Sequence, residues 1–247
     1  MATATFRFYE ELNDFLAPAR RRQSFSCTLA RAATTKHMIE ALGVPHTEVE
    51  LVLVNGESCD FDRQLRDGDR VAVYPKFEAL DITPLLRVRE HPLRTVRFVA
   101  DAHLGGLARL LRMSGFDTLY DNHFEDRTIA EIAAAEQRIV LSRDRELLKR
   151  REITHGCYVH AQRSALQLRE IFERLDLARS ARPLTLCLHC NTPLRPLDAA
   201  LAGARVPPAV ASRYRRFSTC DSCGRIYWEG SHWRRMRALL APLLPAS

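Results

Sequence analysis

Three carboxylates and four thiols stand where the sequence changes character. Asp101 ends the apolar run Phe98-Val99-Ala100, Asp144 closes a second run, Ile139-Val140-Leu141-Ser142, after one arginine, and Asp126 opens the helical pattern TIAEIAAAE with Glu125 beside it. Carboxylates brought together repel, and each raises its neighbour's pKa unless a cation neutralises them. An all-oxygen donor set suits a hard divalent ion such as Mg²⁺ or Mn²⁺, and the chemistry of such a site is phosphodiester hydrolysis. The same residues have a plainer reading. Asp at a strand-to-helix junction is a favoured helix N-cap, worth about 1 kcal/mol, and Asp126 in particular fits it. Asp101 fits less well, because Ala102, His103 and Leu104 separate it from the Gly105-Gly106 pair.

The thiols pair as two Cys-x-x-Cys knuckles, Cys187 and Cys190 in LCLHCNTPL and Cys220 and Cys223 in STCDSCGRIYW. Each knuckle presents two thiolates from a tight turn, and four thiolates complete a tetrahedral zinc shell with no open position, so the zinc expected there is structural. A redox dithiol would show one such pair, and iron–sulfur clusters use other spacings. Cys27, Cys59 and Cys157 bring the cysteines to 7, an odd number that argues against a disulfide framework and leaves these three as small hydrophobes or inert thiols.

The elements that must position these groups follow from periodicity. Residues 1–80 hold a helix candidate near Thr35–Leu42 stopped by Gly43, an apolar strand running into Asn55-Gly56, a strong hairpin signal, and the alternating strand of RDGDRVAVYP. Strands around one helix in this length suggest a β-grasp domain. Residues 81–95, with two prolines and little periodicity, read as a linker. Residues 96–180 alternate: strand 96–100, helix 104–114 ended by Gly115, strand 117–120, helix 127–136, strand 139–142, helix 144–151, strand 157–160 and helix 164–176. That order predicts an α/β fold with a parallel sheet flanked by helices, whose ligands gather at the carboxyl ends of the strands. Residues 183–240 are Cys-, Pro- and Arg-rich, too short for a large core, and need a staple.

Charge is distributed unevenly. Residues 161–247 carry 14 basic and 6 acidic side chains, against 10 and 12 in residues 1–80 and 13 and 12 in residues 81–160. A basic C-terminal third suits a polyanion partner, although 34 of the 37 basic residues are arginine and solvated arginines need no ligand. Arg109 and Arg112, three apart on one helix, and Arg143 and Arg145, flanking Asp144, are candidates to hold phosphates near the carboxylates. In the last block YRRF, Tyr227-Trp228 and HWRRMR interleave aromatic and basic residues, a combination that stacks bases and neutralises phosphates of single-stranded RNA, or simply covers a small core. No run approaches the roughly 18 apolar residues of a membrane span. MATATFRFYEELNDF is broken by charge too early for a secretory signal, so a cytoplasmic protein is expected.

Two resemblances add to this. VLVNGESCDFDRQLRDGDRVAVYP resembles the C-terminal half of ubiquitin-like sulfur carriers, which act through a terminal Gly-Gly; this chain continues as KFEALDITPLL, so the domain is expected to dock or recognise a protein partner rather than carry sulfur. FVADAHLGGLARLLRMSGFD, then DRTIAEIAAAEQRIVLSRDRELLKRR, then the paired cysteines, is similar to the Mut-seven C-terminal RNase domain family of PIN-like ribonucleases, some of which also carry a ubiquitin-like domain. The resemblance covers essentially the whole chain. It implies a PIN-like sheet followed by a zinc ribbon, and it puts the catalytic acidic positions on Asp101, Asp126 and Asp144, with Asp121 a weaker fourth. Ser142 replaces the usual Thr and keeps its hydroxyl, and His103 stands where a basic or large residue is expected. The function expected is metal-dependent hydrolysis of RNA at a carboxylate-bound Mg²⁺ or Mn²⁺, with structural zinc; the alternative is a non-catalytic RNA-binding adaptor in which the carboxylates only cap helices.

Overall fold

The computed structural model describes residues 1–75, 88 and 96–245. The linker expected over 81–95 lies outside the described residues apart from Val88. In the N-terminal region the elements are β1 (Thr3–Phe8), β2 (Phe25–Thr28), α1 (Thr35–Ala41), β3 (Leu51–Val54), β4 (Glu57–Cys59) and β5 (Arg70–Tyr74). The middle runs β6 (Phe98–Ala100), α2 (Gly105–Met113), β7 (Thr118–Leu119), α3 (Asp126–Glu136), β8 (Ile139–Ser142), α4 (Arg145–Leu148), β9 (Gly156–Tyr158) and α5 (Ser164–Arg174). Last come β10 (Arg195–Leu197), α6 (Ala199–Gly203), α7 (Pro208–Arg213), β11 (Phe217–Thr219), β12 (Ile226–Trp228) and α8 (Ser231–Leu240).

The chain forms two compact units, one gathering Met1–Thr95 with Glu125–Tyr158, the other Val96–Phe124 with Val159–Ser247. The first unit holds a β-grasp sheet in the order β2-β1-β5-β3-β4, with β1 and β5 parallel and its other pairs antiparallel. Alternation in β1 and β5 sends Phe6, Phe8, Val71 and Val73 into the core, where Leu12 and Ile39 join them. Thr34 caps α1, its hydroxyl accepting from the His37 amide at 3.2 Å. The β3–β4 hairpin turns at Asn55-Gly56, whose φ values of 55° and 92° are those a tight primed turn needs. The same unit carries β8 and β9 as a parallel pair, and all four residues of β8 are buried, as a strand covered on both faces requires.

The second unit holds the parallel pair β6–β7 and an antiparallel sheet β10-β11-β12. Leu107, Ala108 and Leu111 recur at helical spacing and form the buried face of α2, which Leu104 of the preceding turn extends. Phe98, Phe116 and Phe172 meet edge to face, with centroids 6.0 and 5.8 Å apart, and tie β6 to α5.

The α/β class, the β-grasp region and the parallel strands agree with the sequence reading, while several bounds shift. The helix expected over 104–114 is a 3-10 turn at Ala102–Leu104 followed by α2, and the one expected over 144–151 closes at Leu148. Beyond it the chain turns, the Arg150 amide donating to the Leu147 carbonyl and the Ile153 amide to the Arg150 carbonyl, and Ile153 is fully buried. Among the described residues no helix is long and apolar enough to cross a membrane.

Candidate functional site

Asp101 follows β6 directly, is 8% exposed, and caps no helix with its side chain. The turn after it is latched from β7's side: the Tyr120 hydroxyl donates to the Ala102 carbonyl at 3.0 Å. A Cβ at Gly105 would stand 2.5 Å from that hydroxyl, so glycine there is what lets the latch close. Asp126 is the first residue of α3 and exposed; the cap position belongs to Glu125, which makes no side-chain cap bond. Asp144 is the N-cap of α4, one oxygen accepting from the Glu146 amide at 2.7 Å. The Asp144 amide in turn donates to the Ser142 hydroxyl at 2.8 Å, which gives the hydroxyl kept at that position a structural use. The capping reading therefore holds for Asp144, while Asp101 makes no side-chain cap bond and the cap position of α3 falls on Glu125 rather than Asp126. Asp121 is exposed and held by the His123 amide and imidazole, which lower its pKa, the backbone bond most. Asp101 stands in one compact unit, Asp126 and Asp144 in the other.

The four arginines divide. Arg109 is exposed on α2, and Arg143 is half-buried beside Asp144. Arg112 corrects the expectation that it shares a phosphate-facing surface with Arg109. It is buried, and its guanidinium donates to the carbonyls of Thr118 at 2.9 Å, His189 at 2.8 Å and Leu188 at 3.4 Å. Burial, the larger cause, lowers its pKa against the nearby Cys187, which raises it. Arg112 is thus a clamp that holds the first cysteine knuckle on the β7 segment. Asn191 completes the clamp, accepting from the Thr118 amide at 2.9 Å and donating to Asp117. Arg145 lies over the rings of Phe15 and Tyr158 at 5.0 and 5.6 Å and donates to the Phe15 carbonyl at 3.2 Å, so it is committed to the N-terminal domain.

The four cysteines do come together. Their sulfurs lie within 4.8 Å of one another, the one such cluster of His, Cys, Asp or Glu donors among the described residues. The two knuckles are built alike: the Asn191 amide donates to the Cys187 carbonyl and the Gly224 amide to the Cys220 carbonyl. Asn191 and Gly224 have φ of 63° and 67°, a left-handed conformation that Asn and Gly tolerate best. Tetrahedral zinc with bonds of about 2.3 Å would set sulfurs about 3.8 Å apart. Cys187 and Cys223 are 3.7 Å apart.

The surrounding donors favour the thiolate at Cys187 and Cys223. Cys223 is lowered to about 6, chiefly by the Arg225 amide, whereas Cys190 is pushed up to about 12, chiefly by its bond with Cys223. Burial raises Cys187, but the Tyr227 hydroxyl at 3.2 Å and the amides of Cys190 and His189 outweigh it and leave it lowered. Four sulfurs at this spacing, already drawing N–H and O–H donors, can bind zinc. Sequence reasoning missed Tyr227 as a sulfur partner and Arg112 as a clamp. It also missed α8, whose Trp233, Met236 and Leu240 recur at helical spacing.

None of the curated proteins matches the chain. Two solved structures show partial likeness, the small archaeal modifier protein 1 of H. volcanii at 20% identity and SAMP1 from Haloferax volcanii at 18%. They cover 31% and 32% of this chain and 100% of their own, each with a TM-score of 0.26, a likeness that carries no argument. The family models are decisive. One described as Mut7-C ubiquitin matches residues 1–81, and one described as Mut7-C RNAse domain matches residues 96–240, which is more than half of the chain. The chain therefore belongs to the Mut7-C RNAse domain family and joins to that nuclease-like domain a Mut7-C ubiquitin domain.

Proposed function

We propose that the chain is a PIN-like, metal-dependent ribonuclease of the cytoplasm that hydrolyses RNA phosphodiester bonds, with Asp101, Asp126 and Asp144 as the carboxylates that hold Mg²⁺ or Mn²⁺. Asp101 carries the reading. A carboxylate buried at the carboxyl end of a parallel strand, inside the RNase-domain region and capping no helix, is where an α/β fold puts a ligand-binding group. An all-oxygen donor set of this kind suits a hard divalent cation.

Bound there, the ion supplies Lewis acidity, lowering the pKa of a water and neutralising charge that builds on the leaving oxygen. The protein's share is to hold and orient. Asp144 spends one oxygen on the Glu146 amide, which fixes its carboxylate and keeps the second oxygen for the cation. The guanidinium groups proposed to take RNA phosphates are those of Arg109, exposed on α2, and Arg143, beside Asp144. The cysteine quartet holds structural zinc.

Labelled single-stranded and structured RNAs, incubated with the full chain and Mn²⁺ or Mg²⁺, test the reading. The parent cuts, while Asp101→Asn and Asp144→Asn keep circular dichroism and zinc content but lose cleavage. Substituted proteins that degrade RNA as fast as the parent would remove these residues from the site. The Asp144 cap also favours a second reading, an RNA-binding adaptor. An adaptor binds the same RNAs with or without the divalent ion and never shortens them.

A further inference from the structure

The second compact unit contains a groove of about 470 Å³ beside the cysteine knuckles, lined by Leu186, Leu194, Ile226, Trp228, Trp233 and Met236 together with the exposed Arg216. Its volume falls in the range of about 300–1,000 Å³ typical of small-ligand sites. Trp228 ends β12 and Trp233 lies in the first turn and a half of α8; they are the 2 tryptophans of the chain, and each is half-buried.

A lining of leucine and tryptophan names no occupant by itself, and the charge around it does. Residues 183–247 carry nine arginines against three carboxylates. The lining also holds the exposed carboxylate of Glu229; against it stand three arginines, Arg216 in the lining and Arg234 and Arg235 directly after Trp233 on α8. All three are exposed, and none pairs with a carboxylate among the described residues. Arg237 stands 5.0 Å over the Trp233 ring, a cation–π contact that restrains the indole. An aliphatic side chain from a protein partner would gain nothing from this charge. A nucleotide gains from both parts, because its base offers a π-face to indole and its phosphate a fork-matched anion to guanidinium.

We infer that this groove is a nucleobase-stacking subsite that takes an unpaired base of single-stranded RNA, with Arg216, Arg234 and Arg235 on the adjoining phosphates. The inference rests on the reading of the chain as an RNA-acting protein and adds where the strand is gripped outside the proposed carboxylate site. A site of this kind selects unpaired RNA, since a base already stacked in a duplex cannot enter.

Both tryptophans line the groove, so intrinsic fluorescence reports its occupation. The experiment uses the full chain carrying Asp101→Asn, which keeps the RNA intact, titrated with oligoadenylate, with an abasic strand of equal length, and with inorganic polyphosphate. Oligoadenylate is expected to quench tryptophan emission and bind, whereas the two polyanions bind weakly and do not quench. Trp233→Ala is expected to weaken binding about tenfold, the loss of one stacked base, and Trp233→Phe to restore most of it, both at unchanged zinc content. Arg234→Ala with Arg235→Ala, at exposed positions that leave the fold alone, is expected to reduce the slope of log K against log salt by about 1.4. Equal binding of the abasic strand, or Trp233→Ala binding as the parent does, would overturn the inference. Emission that shifts with protein concentration and not with RNA would assign the groove to a second copy of the chain. Quenching without cleavage by the parent removes the nuclease reading alone, and cleavage without quenching removes this subsite alone.

Discussion

The Arg145 guanidinium lies 5.0 Å over the Phe15 ring and donates to the Phe15 carbonyl at 3.2 Å. One residue before it, Asp144 caps α4, so the N-terminal domain grips the helix that begins at a proposed metal ligand. The grip is repeated along the same unit. His46 bridges Glu40 and the Ile153 carbonyl at 2.7 and 2.8 Å, the Thr47 hydroxyl donates to the Leu148 carbonyl, and the Glu48 carboxylate accepts from the Tyr158 amide. The ubiquitin-like domain thus has a docking partner within its own chain.

That docking has a measurable strength. Phe15 is buried and meets Tyr158 edge to face at 5.3 Å, so Phe15→Ala removes apolar burial, the ring contact and the cation–π contact together. The expected loss is about 3–5 kcal/mol in urea denaturation, the usual cost of truncating a core phenylalanine. If the domain only decorates the nuclease, RNA cleavage by folded Phe15→Ala protein would equal the parent's; a brace for Asp144 predicts a lower rate at temperatures where the fold persists.

Capping and metal binding separate at Asp144 and Asp101. Asp144→Ala deletes the acceptor for the Glu146 amide and is expected to cost about 1 kcal/mol, whereas Asp144→Asn keeps an oxygen in place and costs a few tenths at most. Both should abolish cleavage. Asp101 makes no side-chain cap bond, so Asp101→Asn has no cap to lose and should abolish cleavage equally. Thermal melts beside rate measurements distinguish these three outcomes.

Cys59 gives the pH prediction. Its thiol is pushed up to about 11 from 9.0, first by burial and next by the adjacent Asp60. Only the thiolate is nucleophilic, so alkylation of Cys59 in the folded chain should stay slow at pH 8 and keep rising past pH 9, where an ordinary thiol levels off. The sign for stability follows. The folded state holds the proton more tightly than the unfolded one, so this contribution is complete below pH 9 and is lost as pH rises through 11. Peptide mapping after timed alkylation at several pH values checks the first part.

Much of this was legible in the sequence for physical reasons. Asn55-Gly56 forces a hairpin, the buried run of β8 reads as a covered strand, and two Cys-x-x-Cys pairs each followed by a residue that tolerates left-handed backbone announce the knuckles. Spacing alone points Arg112 to the wrong surface, because a position three residues from Arg109 suggests a shared exposed face. The signal that could have placed it lay in Leu104 and Ala108, which put position 112 at the end of the apolar stripe of α2. Helix α8 was hidden in the same way, its apolar positions interleaved with arginines so that the stretch read as a binding tract. Contacts between distant segments, such as His46 with Ile153, leave no local pattern at all.

Arg112 makes the strongest demand on stability. Its guanidinium satisfies the Thr118, Leu188 and His189 carbonyls, two of them within the first knuckle between Cys187 and Cys190. Arg112→Met keeps the apolar stem and strands these acceptors, at an expected cost of about 1–3 kcal/mol for each one left buried. Because the lost bonds are the ones that hold the knuckle on the β7 segment, the variant should also release zinc faster to a chelator than the parent, with a stoichiometry of about one ion per chain before challenge. Arg112→Lys cannot span three carbonyls with one ammonium and should behave nearly as badly. An Arg109→Met control, altering the exposed arginine on the same helix, should leave both denaturation midpoint and zinc release at parental values. If Arg112→Met matched that control, the guanidinium would not be what couples the knuckle to the nuclease domain.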